Sequence, residues 1–160
     1  MKGLLAKITK TETGHLAEFK RTLRHAPERV WAMLTVNDKL STWFSELRVE
    51  DLREGGTISF DLGDGTFEEM KIIELKPYSV LEYTWGNDRV RFELSPAADG
   101  GTMLTLKEFI GEVNAHTPKD LAGWDVCLDV IEALLDERGF GDRKTAWEPK
   151  YEAYKRALEA

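Results

Sequence analysis

The side chains that perform acid–base, nucleophilic or metal chemistry are few in this 160-residue chain, and they are scattered. It has three histidines, His15, His25 and His116, each isolated in sequence, and one cysteine, Cys127. Zinc sites draw cysteine and histidine ligands at short fixed spacings, and neither CxxC nor HExxH occurs. One cysteine makes no internal disulfide and no cysteine-based cluster. No GxxxxGK[ST] loop or GxGxxG turn is present to cradle phosphate. Asp61 and Asp64 flank a glycine turn, but aspartate–glycine pairs suit tight hairpins without any cation. Glu68, Glu69 and Glu82 would form an acid–base set only by facing a cavity together. Glu82 falls in phase with Val80 and Thr84, away from the inner face, where a solvated role is expected. Cys127 lies at the edge of an apolar helical stripe and reads as a buried thiol with no base to activate it. No catalytic residue, metal or cofactor is expected.

What rises above this background is aromatic. Trp43, Phe44, Phe60, Tyr83, Trp85, Phe92 and Trp124 are assigned to inward positions, together with Cys127, Leu128 and Ile131. Buried tyrosine and tryptophan each carry a polar atom that wants a partner, so a cluster of them suits a pocket with polar handles. It suits an ordinary packed core as well.

Such residues need elements to position them. From Gly14 to Arg24, Ala17, Phe19, Arg21 and Leu23 alternate with polar neighbours, the period of a half-buried strand. Pro27 then fits the first position of a short helix, and Asn37-Asp38 restarts a second that ends near Phe44. Turn residues next separate apolar runs at Thr57–Leu62, Thr66–Leu75, Val80–Trp85, Val90–Leu94 and Leu104–Leu106. The phase of the second run slips near Lys71–Ile73, which predicts a bulge. Consecutive hairpins imply an antiparallel meander. Leu121, Trp124, Leu128, Ile131 and Leu135 recur at spacings of three and four, with Asp125, Asp129, Glu132 and Asp136 opposite. This pattern predicts a long amphipathic helix over Pro118–Arg138, capped by Gly139. A last helix runs from Trp147 to about Leu158, anchored by Tyr151 and Tyr154.

Twenty-nine acidic against 22 basic residues give a net charge of −7, which repels nucleic acid and anionic membranes. Lys20, Arg21 and Arg24 read as a solvated strand face. The apolar run Leu4-Leu5-Ala6 is too short for a signal peptide, and no stretch is long enough to span a bilayer, so a cytoplasmic location is expected. Residues 1–13 are read as an N-terminal arm and 14–160 as a single domain.

Arg24-His25-Ala26-Pro27-Glu28-Arg29-Val30-Trp31 resembles the segment that opens many START-like domains of the SRPBCC superfamily. Leu81-Glu82-Tyr83-Thr84-Trp85 and Ala122-Gly123-Trp124-Asp125-Val126-Cys127-Leu128-Asp129 are similar to segments in the branch named for the activator of the Hsp90 ATPase. The resemblance covers roughly residues 14 to 158. It implies an α+β helix-grip fold, in which a curved antiparallel sheet of six or seven strands wraps the long C-terminal helix around a cavity. It also implies binding or carriage of a small hydrophobic molecule, aromatic or lipid-like. The alternatives are an enzyme of polyketide cyclase type acting on such a molecule, or a domain that engages an Hsp90-type chaperone.

Overall fold

The computed structural model describes residues 5–159. Within them the chain runs β1 (Lys7–Thr11), β2 (Gly14–Leu23), α1 (Pro27–Thr35), α2 (Asn37–Trp43) and β3 (Leu47–Asp51). It continues through β4 (Thr57–Asp61), β5 (Phe67–Lys76), β6 (Val80–Trp85), β7 (Asp88–Pro96) and β8 (Thr102–Ile110) to α3 (Thr117–Leu135) and α4 (Arg143–Glu159). The strands form one antiparallel sheet in the order β1-β2-β8-β7-β6-β5-β4-β3. This is the expected α+β helix-grip architecture, with α3 lying on the inner face of the sheet.

Alternation explains that face. Register pairs Leu81 with Phe92, Tyr83 with Val90, and Phe92 with Leu106, so apolar residues of neighbouring strands stand side by side. Opposite them, Leu121, Trp124, Leu128 and Ile131 of α3 are buried, as their spacing predicts. The β5–β6 register shifts between Ile72 and Glu74, which leaves Ile73 exposed and bends the sheet at the predicted bulge. No described helix is long and apolar enough to cross a membrane.

The sheet has eight strands against the expected six or seven, and the two that the apolar runs do not show are its edge strands, β1 and β3. β1 occupies part of the stretch read as an arm, whose residues 1–4 lie outside the described residues. Its pattern was weak because an edge strand needs little apolar surface; Ile8 is its one large apolar residue. Gly14 makes the hairpin possible, since its φ is 152° and a Cβ there would lie 2.0 Å from the Ile110 carbonyl oxygen. β3 is held by Asn37, which was read simply as a helix start. The Asn37 side chain accepts from Val49 N at 2.7 Å and donates to Val49 O at 3.0 Å.

The C-terminal helices also depart from expectation. α3 stops at Leu135, not at Arg138, and the left-handed position falls to Glu137, with φ 56°, and not to Gly139. Arg138 N then donates to Ala133 O at 3.0 Å and Glu137 N to Leu134 O at 3.1 Å, closing the helix end. Glutamate is strained there, so Glu137→Gly is expected to raise stability by about 1 kcal/mol. The check is a urea titration, in which the midpoint should rise with an unchanged slope.

α4 starts four residues before Trp147, where Asp142 caps it by accepting from Thr145 N at 3.2 Å and Thr145 Oγ1 at 2.6 Å. By packing on α3 it buries Asp125, which was expected on a solvated face. Arg21, also read as solvated, points inward to Asp125; Lys20 and Arg24 are exposed.

Candidate functional site

The inward aromatics of five elements meet in one cluster. Trp43 ends α2 and is fixed by an indole N–H donated to Met33 O at 2.7 Å. Phe44 follows it with its ring centroid 5.8 Å from those of Phe60, Trp85 and Trp124. Trp85 and Trp124 approach to 4.9 Å, and Phe92 and Tyr83 extend the cluster along the sheet. Leu128 and Ile131 lie deeper under α3. Cys127 is half-buried beside them, and burial pushes its thiol up to about 12. It stays protonated at neutral pH and is a poor nucleophile. Burial likewise raises the Tyr83 hydroxyl far above the usual phenol range.

Rings at these separations fill most of the space between helix and sheet. Beside this cluster lies a cavity of about 510 Å³. Phe60, Glu68 and Met70 line it from β4 and β5, Trp85 to Asp88 from the β6–β7 turn, and Gly111, Glu112, Asn114 and His116 from the β8–α3 loop. Asp120 completes it from the first turn of α3. Of the residues assigned to a pocket, Phe60 and Trp85 border this cavity; Trp43, Tyr83, Phe92, Trp124, Leu128 and Ile131 belong to the packed core instead, and Phe44 and Cys127 pack against that core. The rim is braced by Asp88 Oδ1, which accepts from Gly111 N at 3.0 Å. Asn114 N donates to Thr117 Oγ1 at 2.9 Å and His116 N to Asn114 Oδ1 at 2.9 Å, fixing the loop that enters α3.

Behind Asp120, outside the cavity lining, stands a buried carboxyl that sequence reasoning missed. Glu108 continues the inward phase of Leu104 and Leu106 on β8, with Ala17 and Val90 as its register partners. It is 1% exposed, and its Oε1 has no hydrogen-bond donor. Burial, a hydrogen bond with Asp120 and the charge of Asp88 hold its carboxyl well above the usual range. Asp120 Oδ1 in turn accepts the Trp85 indole N–H at 3.1 Å. Asp120 thus links the Trp85 indole to the buried Glu108. The one available signal was the leucine–leucine–glutamate–isoleucine alternation along β8.

The carboxylates singled out earlier lie elsewhere. Glu82 does face outward, but it is 3% exposed rather than solvated. Arg89 and Arg91 cover it, Arg91 Nη1 lying 2.8 Å from Glu82 Oε1. Arg91 also binds Glu74 and Glu93, so Glu82 belongs to an outer-face ion network. Glu68, the register partner of Phe60, lines the cavity, whereas Glu69 is exposed on the other side. Among the histidines, His116 lines the cavity, His25 pairs with Asp136 at 2.7 Å, and His15 has a buried Nδ1 without a partner. No group of three or more potential metal ligands converges among the described residues.

The family model described as activator of Hsp90 ATPase homolog 1-like protein matches residues 24–136. Among solved structures, the conserved protein of unknown function EF2215 from Enterococcus faecalis is similar with a TM-score of 0.87 and 24% identity, over 96% of this chain and 90% of that one. CalU16 from Micromonospora echinospora gives 0.75 and 20%, over 96% of this chain and 95% of its own. Aha1 from Colwellia psychrerythraea, solved as a dimer, gives 0.62 and 18%, over 74% and 93%. At these identities the likeness carries the fold. No curated protein matches the sequence.

Proposed function

We propose that this chain, which belongs to the family of activator of Hsp90 ATPase homolog 1-like proteins, binds a small and largely apolar molecule in the cavity beside the start of α3. The observation that carries the reading is the cavity itself, about 510 Å³ with Phe60, Met70 and Trp85 on its walls. That volume falls within the roughly 300–1,000 Å³ of small-molecule sites, which pair apolar walls with a few polar groups. Here the polar groups are Glu68, Asn87, Asp88, Glu112, Asn114, His116 and Asp120. Burial of a flat ring against Phe60 and Trp85 would contribute about 25 cal/mol per Å² of apolar surface.

The test uses naphthalene-based probes and the emission of Trp85. A bound ring should quench tryptophan fluorescence and shift the NMR signals of Phe60, Trp85, Asp88 and Gly111 together. Trp85→Ala should weaken binding about tenfold, because the residue supplies the largest aromatic wall. Shifts confined to the outer face of the sheet, or none, would overturn the reading. Native mass spectrometry of the protein as purified would then identify the natural occupant.

A further inference from the structure

We propose that the tip of the β4–β5 hairpin is a docking surface for a basic amphipathic segment of another protein, one whose apolar residues stand among lysines or arginines. Phe67 is 63% exposed, more than any other large apolar side chain among the described residues, and Leu62 is 51% exposed. They occupy the last two rungs of the hairpin. Phe67 pairs in register with Asp61, and Leu62 N donates to Thr66 O at 3.0 Å. Tyr78, of similar exposure to Leu62, rests on Trp31 with ring centroids 6.1 Å apart, and Phe67 has no such neighbour among the described residues.

A single exposed apolar residue is ordinary, but here two large ones project from a turn that is fixed in shape. Asp61 Oδ1 accepts from Gly63 N at 2.8 Å and Asp64 Oδ1 from Thr66 N at 3.0 Å. Gly63 and Gly65 supply the left-handed positions, each with φ 87°. Anchors already ordered in this way lose little freedom on binding, which is what a strong contact residue requires.

Charge selects the occupant. Asp61, Asp64, Glu68 and Glu69 lie within the hairpin, and no lysine or arginine occurs between Glu54 and Lys71. Elsewhere on the sheet Arg91 covers Glu74, Glu82 and Glu93 at 2.6, 2.8 and 2.5 Å, whereas none of the four hairpin carboxylates is in an ion pair among the described residues. A second copy presenting the same tip would bring like charges, and an anionic bilayer is repelled for the same reason. A basic segment that covers Phe67 and Leu62 carries its cations to those carboxylates instead. The surface does not depend on the cavity, since Leu62, Asp64 and Phe67 do not line it.

The probe is a synthetic peptide of about 18 residues with leucine and lysine at helical spacing. Two controls keep its length, one with glutamate for every lysine and one with serine for every leucine. The leucine–lysine peptide is expected to shift the amide NMR signals of residues 61–69 and to lose affinity as salt is raised. Phe67→Thr should weaken binding about tenfold with its thermal melt nearly unchanged, because the side chain is exposed and threonine suits a strand. Glu69→Lys, at an exposed position, tests the charge separately and should weaken binding as well. The glutamate peptide should not bind, and the serine peptide should bind at least about tenfold more weakly. Shifts confined to other parts of the surface, or undiminished affinity in Phe67→Thr, would overturn the proposal. So would equal binding of either control, or binding of no peptide at all.

Discussion

Asp125→Ala is expected to cost about 3–5 kcal/mol of folding stability. Asp125 is 0% exposed, in the middle of α3 under α4. Its carboxylate receives Arg21 Nη2 at 2.6 Å, Lys150 Nζ at 2.9 Å and the Tyr154 hydroxyl at 2.5 Å. These donors come from β2 and α4, so one carboxylate joins the sheet, the central helix and the last helix. Tyr154 passes the connection on, its oxygen accepting from Ala6 N at 2.7 Å next to β1. An alanine would leave two largely buried cations short of their main partner, which costs more than losing a surface pair. Asp129 at 3.3 Å from both cations would compensate only in part. Tyr154→Phe removes two hydrogen bonds, the one donated to Asp125 and the one accepted from Ala6 N, while keeping the ring, and about 2–3 kcal/mol is expected. Urea titration of both variants provides the check. A loss under about 1 kcal/mol for Asp125→Ala would mean that α4 is held by its apolar contacts alone.

Why this aspartate was misread says what a sequence can disclose about the fold. The spacing of Leu121, Trp124, Leu128 and Ile131 located the buried stripe of α3 correctly. Whether the opposite stripe meets water depends on a second element, and α4 reads as a mostly polar helix with few anchors. Its packing is carried by Tyr154 and by charges that period analysis scores as solvent-facing. Glu82 follows the same logic, because its outward phase was legible while its cover of two arginines from the next strand was not. Turn glycines and proline at the start of α1 were visible because they act locally. β1 and β3 were not, because five-residue edge strands carry too few alternations to rise above noise.

The candidate site divides along the same line. Convergence of the aromatics could be read from inward phases alone. The cavity's position could not, since open volume is what remains after side chains have packed. Ring contacts from Phe44 to Trp124 close the middle of the grip. At the β6–β7 turn and the β8–α3 loop, Gly86 and Gly111 put backbone where side chains would otherwise stand. Glu108 escaped notice because a glutamate on an inner strand position is rare, and rarity of that kind points to a built polar group.

Trp124→Ala is the second large effect, an expected loss of about 3–5 kcal/mol. The residue is 2% exposed at the centre of the grip, with its ring centroid 4.9 Å from Trp85, 5.8 Å from Phe44 and 5.9 Å from Phe92. Truncation would leave a void bounded by three rigid rings on different elements, and such walls collapse poorly into the space. Its indole N–H has no acceptor, so Trp124→Phe gives up no hydrogen bond and sheds an unsatisfied donor. The cost of that change is expected to be about 1–2 kcal/mol, set by lost volume alone. Denaturant titration separates the two variants. If phenylalanine proved as damaging as alanine, the N–H would have to reach a partner such as a bound water, and the core around α3 would be hydrated. If alanine cost under about 1 kcal/mol, α3 would not be docked through this residue.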